Sequence, residues 1–142
     1  MLRGRVHRAV VMSDANLATI RRIYDGWSKG DFREVDFFDP DVVFVMRPQF
    51  PDAGTYIGLE RVAEYMRGFL EPWTEITITA EEIHDAGDGV AVGIVQRGAG
   101  SGSGALTDFR YFQVWTFRGG KAIRFETVRE RAEALELAGV RE

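Results

Sequence analysis

Hydrophobic positions recur first at helical spacing. Leu17, Ile20, Tyr24 and Trp27 fall three or four residues apart, with Ile23 alongside, and Ser13 and Asp14 ahead of them offer N-cap oxygens. The pattern predicts an amphipathic helix of about four turns, ending near Gly30. Asp31 is placed to cap a second short helix through Phe37 or Phe38. Asp39-Pro40-Asp41 reads as a turn, and Val42–Met46 as a strand stopped by Pro48 and Pro51. Tyr56-Ile57-Gly58 leads into another helix, with Leu59, Val62, Met66 and Phe69 on one face and Pro72 after it.

From Trp73 onward the period changes to that of strands. Ile76, Ile78 and Ala80 share one face, and Ile83 then breaks the phase, which a β-bulge near Ala80–Glu82 restores. Ala86–Gly89 is a turn, and Val90–Arg97 a strand. Gly98–Gly104 reads as a flexible connection; it lacks the lysine and the strand-to-helix setting of a phosphate loop. Leu106–Phe117 and Lys121–Arg129 form a hairpin around Arg118-Gly119-Gly120, and Glu130–Ala138 is a closing helix with Gly139 past its end. Helices ahead of a run of antiparallel strands give an α+β fold, a curved sheet with helices packed on its concave face. Residues 1–12 read as a tail, either a flexible leader or an upstream start before Met12, and residues 13–142 as one domain.

A three-residue hairpin loop pairs Phe117 with Lys121, Trp115 with Ile123, Gln113 with Phe125 and Tyr111 with Thr127. Those side chains share the inner face. Arg124 and Glu126 fall on the other face, toward solvent or a subunit contact. A two-residue turn would shift this pairing.

Composition narrows the chemistry. The formal net charge is −4, which gives no general attraction to nucleic acid or to an anionic membrane. The absence of cysteine excludes disulfides and thiol chemistry, and two histidines, His7 and His84, make a protein-held zinc site a poor expectation. No apolar run approaches the ~20 residues of a membrane span. Met1–Met12 has no signal-like apolar core, so the expected location is cytoplasmic. No metal or other cofactor is implied.

The run Tyr111–Phe125, the helix Arg131–Ala138 with Gly139, the helix entering Gly30-Asp31, and Tyr56-Ile57-Gly58 before a helix resemble SnoaL-like proteins of the NTF2-like superfamily. That group includes ketosteroid isomerases, polyketide cyclases and limonene epoxide hydrolases. The resemblance implies a cone-shaped domain, frequently a homodimer packed through its sheet. It does not carry over ketosteroid isomerase chemistry. The base position before a proline holds Met46 or Arg47, the hairpin aspartate is replaced by Gln113, and the helix phenol falls at Ile23, one place from Tyr24. Asp108, Arg110 and Glu126 do not reproduce the order of an epoxide hydrolase set and are expected outside.

The expected site is an apolar, aromatic pocket lined by Trp27, Met46, Met66, Tyr111, Gln113, Trp115 and Phe125. Gln113 and Tyr24 are the candidates for ligand hydrogen bonding or catalysis; the competing reading is a buried amide satisfied by Tyr24 or by backbone. Aromatic rows at such spacing are more often plain core, which is the competing reading of Trp27, Trp115 and Phe125. Arg47 reads as a solvated strand-end residue or an anion anchor, and His84 as a surface histidine. The implied function is binding of a small hydrophobic, ring-containing molecule, with isomerase, cyclase or hydrolase chemistry. The alternatives are non-catalytic binding and a dimeric protein-interaction domain.

Overall fold

In the computed structural model the chain begins with a long helix, α1 (Leu2–Trp27), which lays one stripe on the sheet. Residues 2–47, 53–100 and 106–140 are described, with side chains from Asp14 and, after the second gap, from Asp108. The helix does not start at Ser13-Asp14; both lie inside it. Asn16, Ile20, Ile23, Tyr24 and Trp27 are its buried positions, at the spacing the sequence predicts. Asn16 was not singled out by the hydrophobic pattern: its amide donates to Gly87 O at 3.0 Å and ties the helix to the turn after the third strand. The helix ends where Gly30 turns left-handed at φ 78°.

The second short helix does not form. The Asp31 carboxylate instead accepts the Arg33 N–H at 3.1 Å and its guanidinium at 2.9 Å, a local bonding pattern that competes with helix. Phe37 and Phe38 then turn into the core against Trp115. β1 (Phe38–Met46) begins earlier than Val42 and carries Pro40 within it, and its pairing register shifts between Phe38 and Val43. β2 (Gly54–Ile57) takes the residues read as a lead-in to the helix, and α2 (Leu59–Leu70) follows.

β3 (Trp73–Asp85), β4 (Gly89–Gly100), β5 (Leu106–Arg118) and β6 (Lys121–Val128) complete a six-stranded sheet in the order β2-β1-β6-β5-β4-β3. The fold is α+β with a curved sheet, as the pattern predicts. All strand pairs are antiparallel except β1 with β6. The expected bulge is present between Ala80 and Glu82. Gly98–Gly100 continue β4 rather than forming a loop, and the rest of that glycine-rich connection lies outside the described residues.

The β5–β6 turn has two residues, not three: Arg118 pairs with Lys121, with Gly119 and Gly120 at φ 59° and 80° between them. An unbroken ladder from that turn would place Arg124 and Glu126 opposite Trp115 and Gln113. A register shift after Phe117–Ala122 removes Ile123 from the ladder, so Trp115 pairs with Phe125 and Gln113 with Thr127. Phe125 and Thr127 therefore stay on the inner face, while Ala122 replaces Ile123 there.

The core lies between this face and the helices α1 and α2. Its centre is Trp115, with no exposed surface, stacked on Phe125 at 4.2 Å and on Phe38 at 5.9 Å. α3 (Arg131–Ala138) packs on the opposite face of the sheet, with Ala134, Leu135 and Ala138 on Ala91, Val114 and Val128. That placement corrects two expectations: one helix lies off the inner face, and Glu126 is covered rather than solvated. The helix stops at Gly139, φ 87°.

Candidate functional site

Strand alternation aims Gln113, Tyr111, Phe125, Thr127, Phe44 and Met46 at one space, and α1 and α2 close it with Trp27, Tyr65, Met66 and Phe69. Six of the seven residues expected to form the pocket meet there: Trp27, Met46, Met66, Tyr111, Gln113 and Phe125. Trp115 does not reach this wall and sits behind it. Phe44, Tyr65, Phe69, Ile78 and Thr127 were not named for the pocket, although Phe44 lies two residues from Met46 and Ile78 two from Ile76 on the same strand faces. The space between them is small, about 30 Å3. A water needs roughly 10–15 Å3 of such space, so the cavity accommodates water but no ring.

A directed chain of hydrogen bonds crosses its floor. The Trp115 indole can only donate, and it donates to Tyr24 Oη at 2.9 Å. Tyr24 therefore turns its own hydrogen onto Gln113 Oε1. The Gln113 amide bonds the Tyr111 phenol, and Tyr111 donates to Gln96 Oε1 at 2.7 Å. The helix turns Tyr24 toward Gln113, so its register places Tyr24, not Ile23, opposite the hairpin strand. Burial raises the pKa of both Tyr24 and Tyr111. Both phenols are neutral hydrogen-bonding groups at ordinary pH.

The wall also carries the phenol of Tyr65 and the hydroxyl of Thr127, which contacts Met46 Sδ. Among the described lining residues there is no carboxylate, histidine, lysine or arginine. Arg47 does not point here. It lies across the sheet against Glu126 at 3.4 Å and Glu133 at 3.7 Å, so it is neither a solvated strand end nor a mouth residue. Asp108 and Arg110 are likewise engaged elsewhere, with Arg97 and Glu81. His84 sits near Glu82 at 3.5 Å, outside the cavity. No group of three or more metal-binding side chains occurs among the described residues, and none of their helices is long and apolar enough to cross a membrane.

The fold recurs in solved structures. An NTF2-like protein of unknown function from Burkholderia pseudomallei is 23% identical, with 87% of this chain and 97% of that one aligned at a TM-score of 0.71. A protein from Jannaschia assigned as a SnoaL-like polyketide cyclase is 16% identical, covering 91% and 94% at 0.71. TerC, crystallised with polyporic acid, is 23% identical, covering 88% and 98% at 0.69. No curated protein matches the sequence. The sequence model of the SnoaL-like domain matches residues 20–125, from the buried face of α1 to the Phe125 that closes the cavity, and the chain belongs to that family.

Proposed function

We propose that this domain binds a small, largely apolar ring compound in the cavity at Gln113. The observation that carries the reading is the composition of the wall: aromatic and thioether surface with a few hydroxyls and one amide, whose orientation is set by Trp115 and Tyr24. One amide hydrogen goes to Tyr111, and the second is the donor a ligand oxygen would meet. A ring needs more room than water does. Met46 and Met66 supply it, because unbranched thioethers repack at little cost. The pairing of TerC with polyporic acid supports the ligand class.

Chemistry at this site would act through position and through polarisation by the amide and phenols, since no carboxylate, histidine, lysine or arginine stands among the described wall residues. Isomerase, cyclase or hydrolase activity is thus the finer form of the proposal, and binding without turnover its simpler form. We further propose a homodimer through the sheet surface that α3 leaves open, where Gly93 and half-buried Phe112 line a depression.

Calorimetry with 2-naphthol tests the reading. The expected result is binding to the native protein, weakened about five- to tenfold in Gln113→Leu, the loss of one hydrogen bond. Absence of binding, or equal affinity in a folded Gln113→Leu protein, would overturn it.

A further inference from the structure

Two spaces in the molecule share a wall. The cavity at Gln113 and a larger cleft of about 280 Å3 both touch Trp27 and Met66. The cleft lies between α2 and the chain from Phe32 to Phe38. Val35, Phe38, Leu59, Val62 and Leu70 supply its apolar surface, and Arg33, Glu34 and Arg67 its rim. Val35 remains 40% exposed, an apolar side chain open to the cleft. The cleft lies just below the ~300 Å3 at which small-molecule pockets begin.

The rim charges are not equivalent. Glu34 is held by Arg22 at 3.1 Å, and Arg33 by Asp31 at 2.9 Å. The Arg33 guanidinium lowers the Asp31 carboxyl to about 2, so that pair stays intact at ordinary pH. Arg67 has no hydrogen bond or ion pair from its side chain among the described residues. An open apolar cleft with one uncommitted guanidinium at its edge matches an aromatic ring bearing a carboxylate.

We infer that this cleft is the entrance to the site and holds a one- or two-ring aromatic carboxylate. The ring lies on Trp27 and Met66, and the carboxylate on Arg67. Rotation of Met66 joins cleft and cavity, so the far edge of the ring reaches Gln113; this last step rests on the binding site proposed above. Met66 suits the role, with flexible torsions and a half-buried position between the two spaces.

The test compares 2-naphthoate with uncharged 2-naphthamide, by titration and by amide chemical shifts. Arg67→Ala and Val35→Asp alter exposed positions, so the fold persists and is checked by thermal melting. The expected result is naphthoate binding that shifts residues 32–38, α2 and the Gln113 side chain. Arg67→Ala then weakens naphthoate about five- to tenfold and leaves naphthamide within about twofold. Val35→Asp weakens naphthoate more than naphthamide. Naphthoate affinity unchanged in both variants, with shifts confined to the inner cavity, would overturn the entrance and leave the Gln113 site standing. Shifts in the cleft with none at Gln113 would overturn the joined site together with the function proposed for it. Binding of neither probe would overturn both.

Discussion

Tyr24 on α1 and Gln113 on β5, 89 positions apart in the chain, are joined by a buried hydrogen bond in which the phenol donates to the amide oxygen. Because Trp115 fixes the lone pair side of the same phenol, the bond has one direction. Tyr24→Phe leaves an indole N–H and an amide oxygen without this partner. The expected loss is about 1–3 kcal/mol in urea denaturation. Gln113→Leu and Tyr24→Phe together should cost less than the sum of the two single changes, since they remove one shared contact.

The two buried phenols set the alkaline limit of the fold. Burial raises the pKa of Tyr24 and Tyr111 in the folded protein, whereas an unfolded tyrosine ionises near 10. Above that pH the unfolded chain releases protons that the folded chain retains, so stability falls as pH rises. The expected slope is about 1.4 kcal/mol per pH unit for each such phenol. Denaturation curves from pH 9 to pH 11.5 measure it, and Tyr111→Phe should reduce the slope.

Glu126 is the buried charge of the opposite face. Its side chain is 5% exposed and accepts from Arg124 at 2.8 Å, with Arg47 at 3.4 Å. Glu126→Ala leaves two guanidinium groups without that carboxylate, but Arg124 is half exposed and Arg47 keeps Glu133 at 3.7 Å. The expected destabilisation is therefore about 1–3 kcal/mol, below the roughly 3–5 kcal/mol of fully enclosed pairs. Thermal melting of the variant checks it.

Gly89 sits under the end of α3. A Cβ placed there would stand 2.2 Å from the Ala138 carbonyl oxygen, so the backbone of the helix end must move. Gly89→Ala should lower stability by about 1–3 kcal/mol. Hydrogen exchange should speed up in α3 before the rest of the fold, because that helix rests on a separate apolar cluster.

The buried stripe of α1, the helices α2 and α3, the bulge at Ala80–Glu82 and the inward aromatic row were legible because each rests on a local period, whereas the helix expected after Asp31 is absent. Trp27, Met46, Met66 and Gln113 could be placed on one space by face counting alone. Other features depend on partners distant in the chain. β2 is four residues long and has no period of its own; it exists by pairing with β1. Arg118-Gly119-Gly120 suits a two- or three-residue turn equally, and only the loss of Ile123 from the ladder decides which side chains stay inside. The burial of Glu126 follows from where α3 docks, which its own short pattern does not encode. The narrowness of the cavity depends on the rotamers of Met46, Met66 and Tyr65, and periodicity carries no information on these.

The parallel contact between β1 and β6 also governs the order in which the chain can assemble. Val43–Met46 meet Arg124–Thr127, so the first strand made during synthesis waits for the last. Until β6 leaves the ribosome, β1 and β2 form only a ribbon with an open edge, covered by α2 but not joined to the rest of the sheet. A nascent chain halted before residue 121 would leave Phe44 against Tyr56 and Tyr65 but without Phe125, and the β1 edge without its partner strand. Chaperone contact is then concentrated on the N-terminal half, and the committed folding step falls after most of the protein has been made.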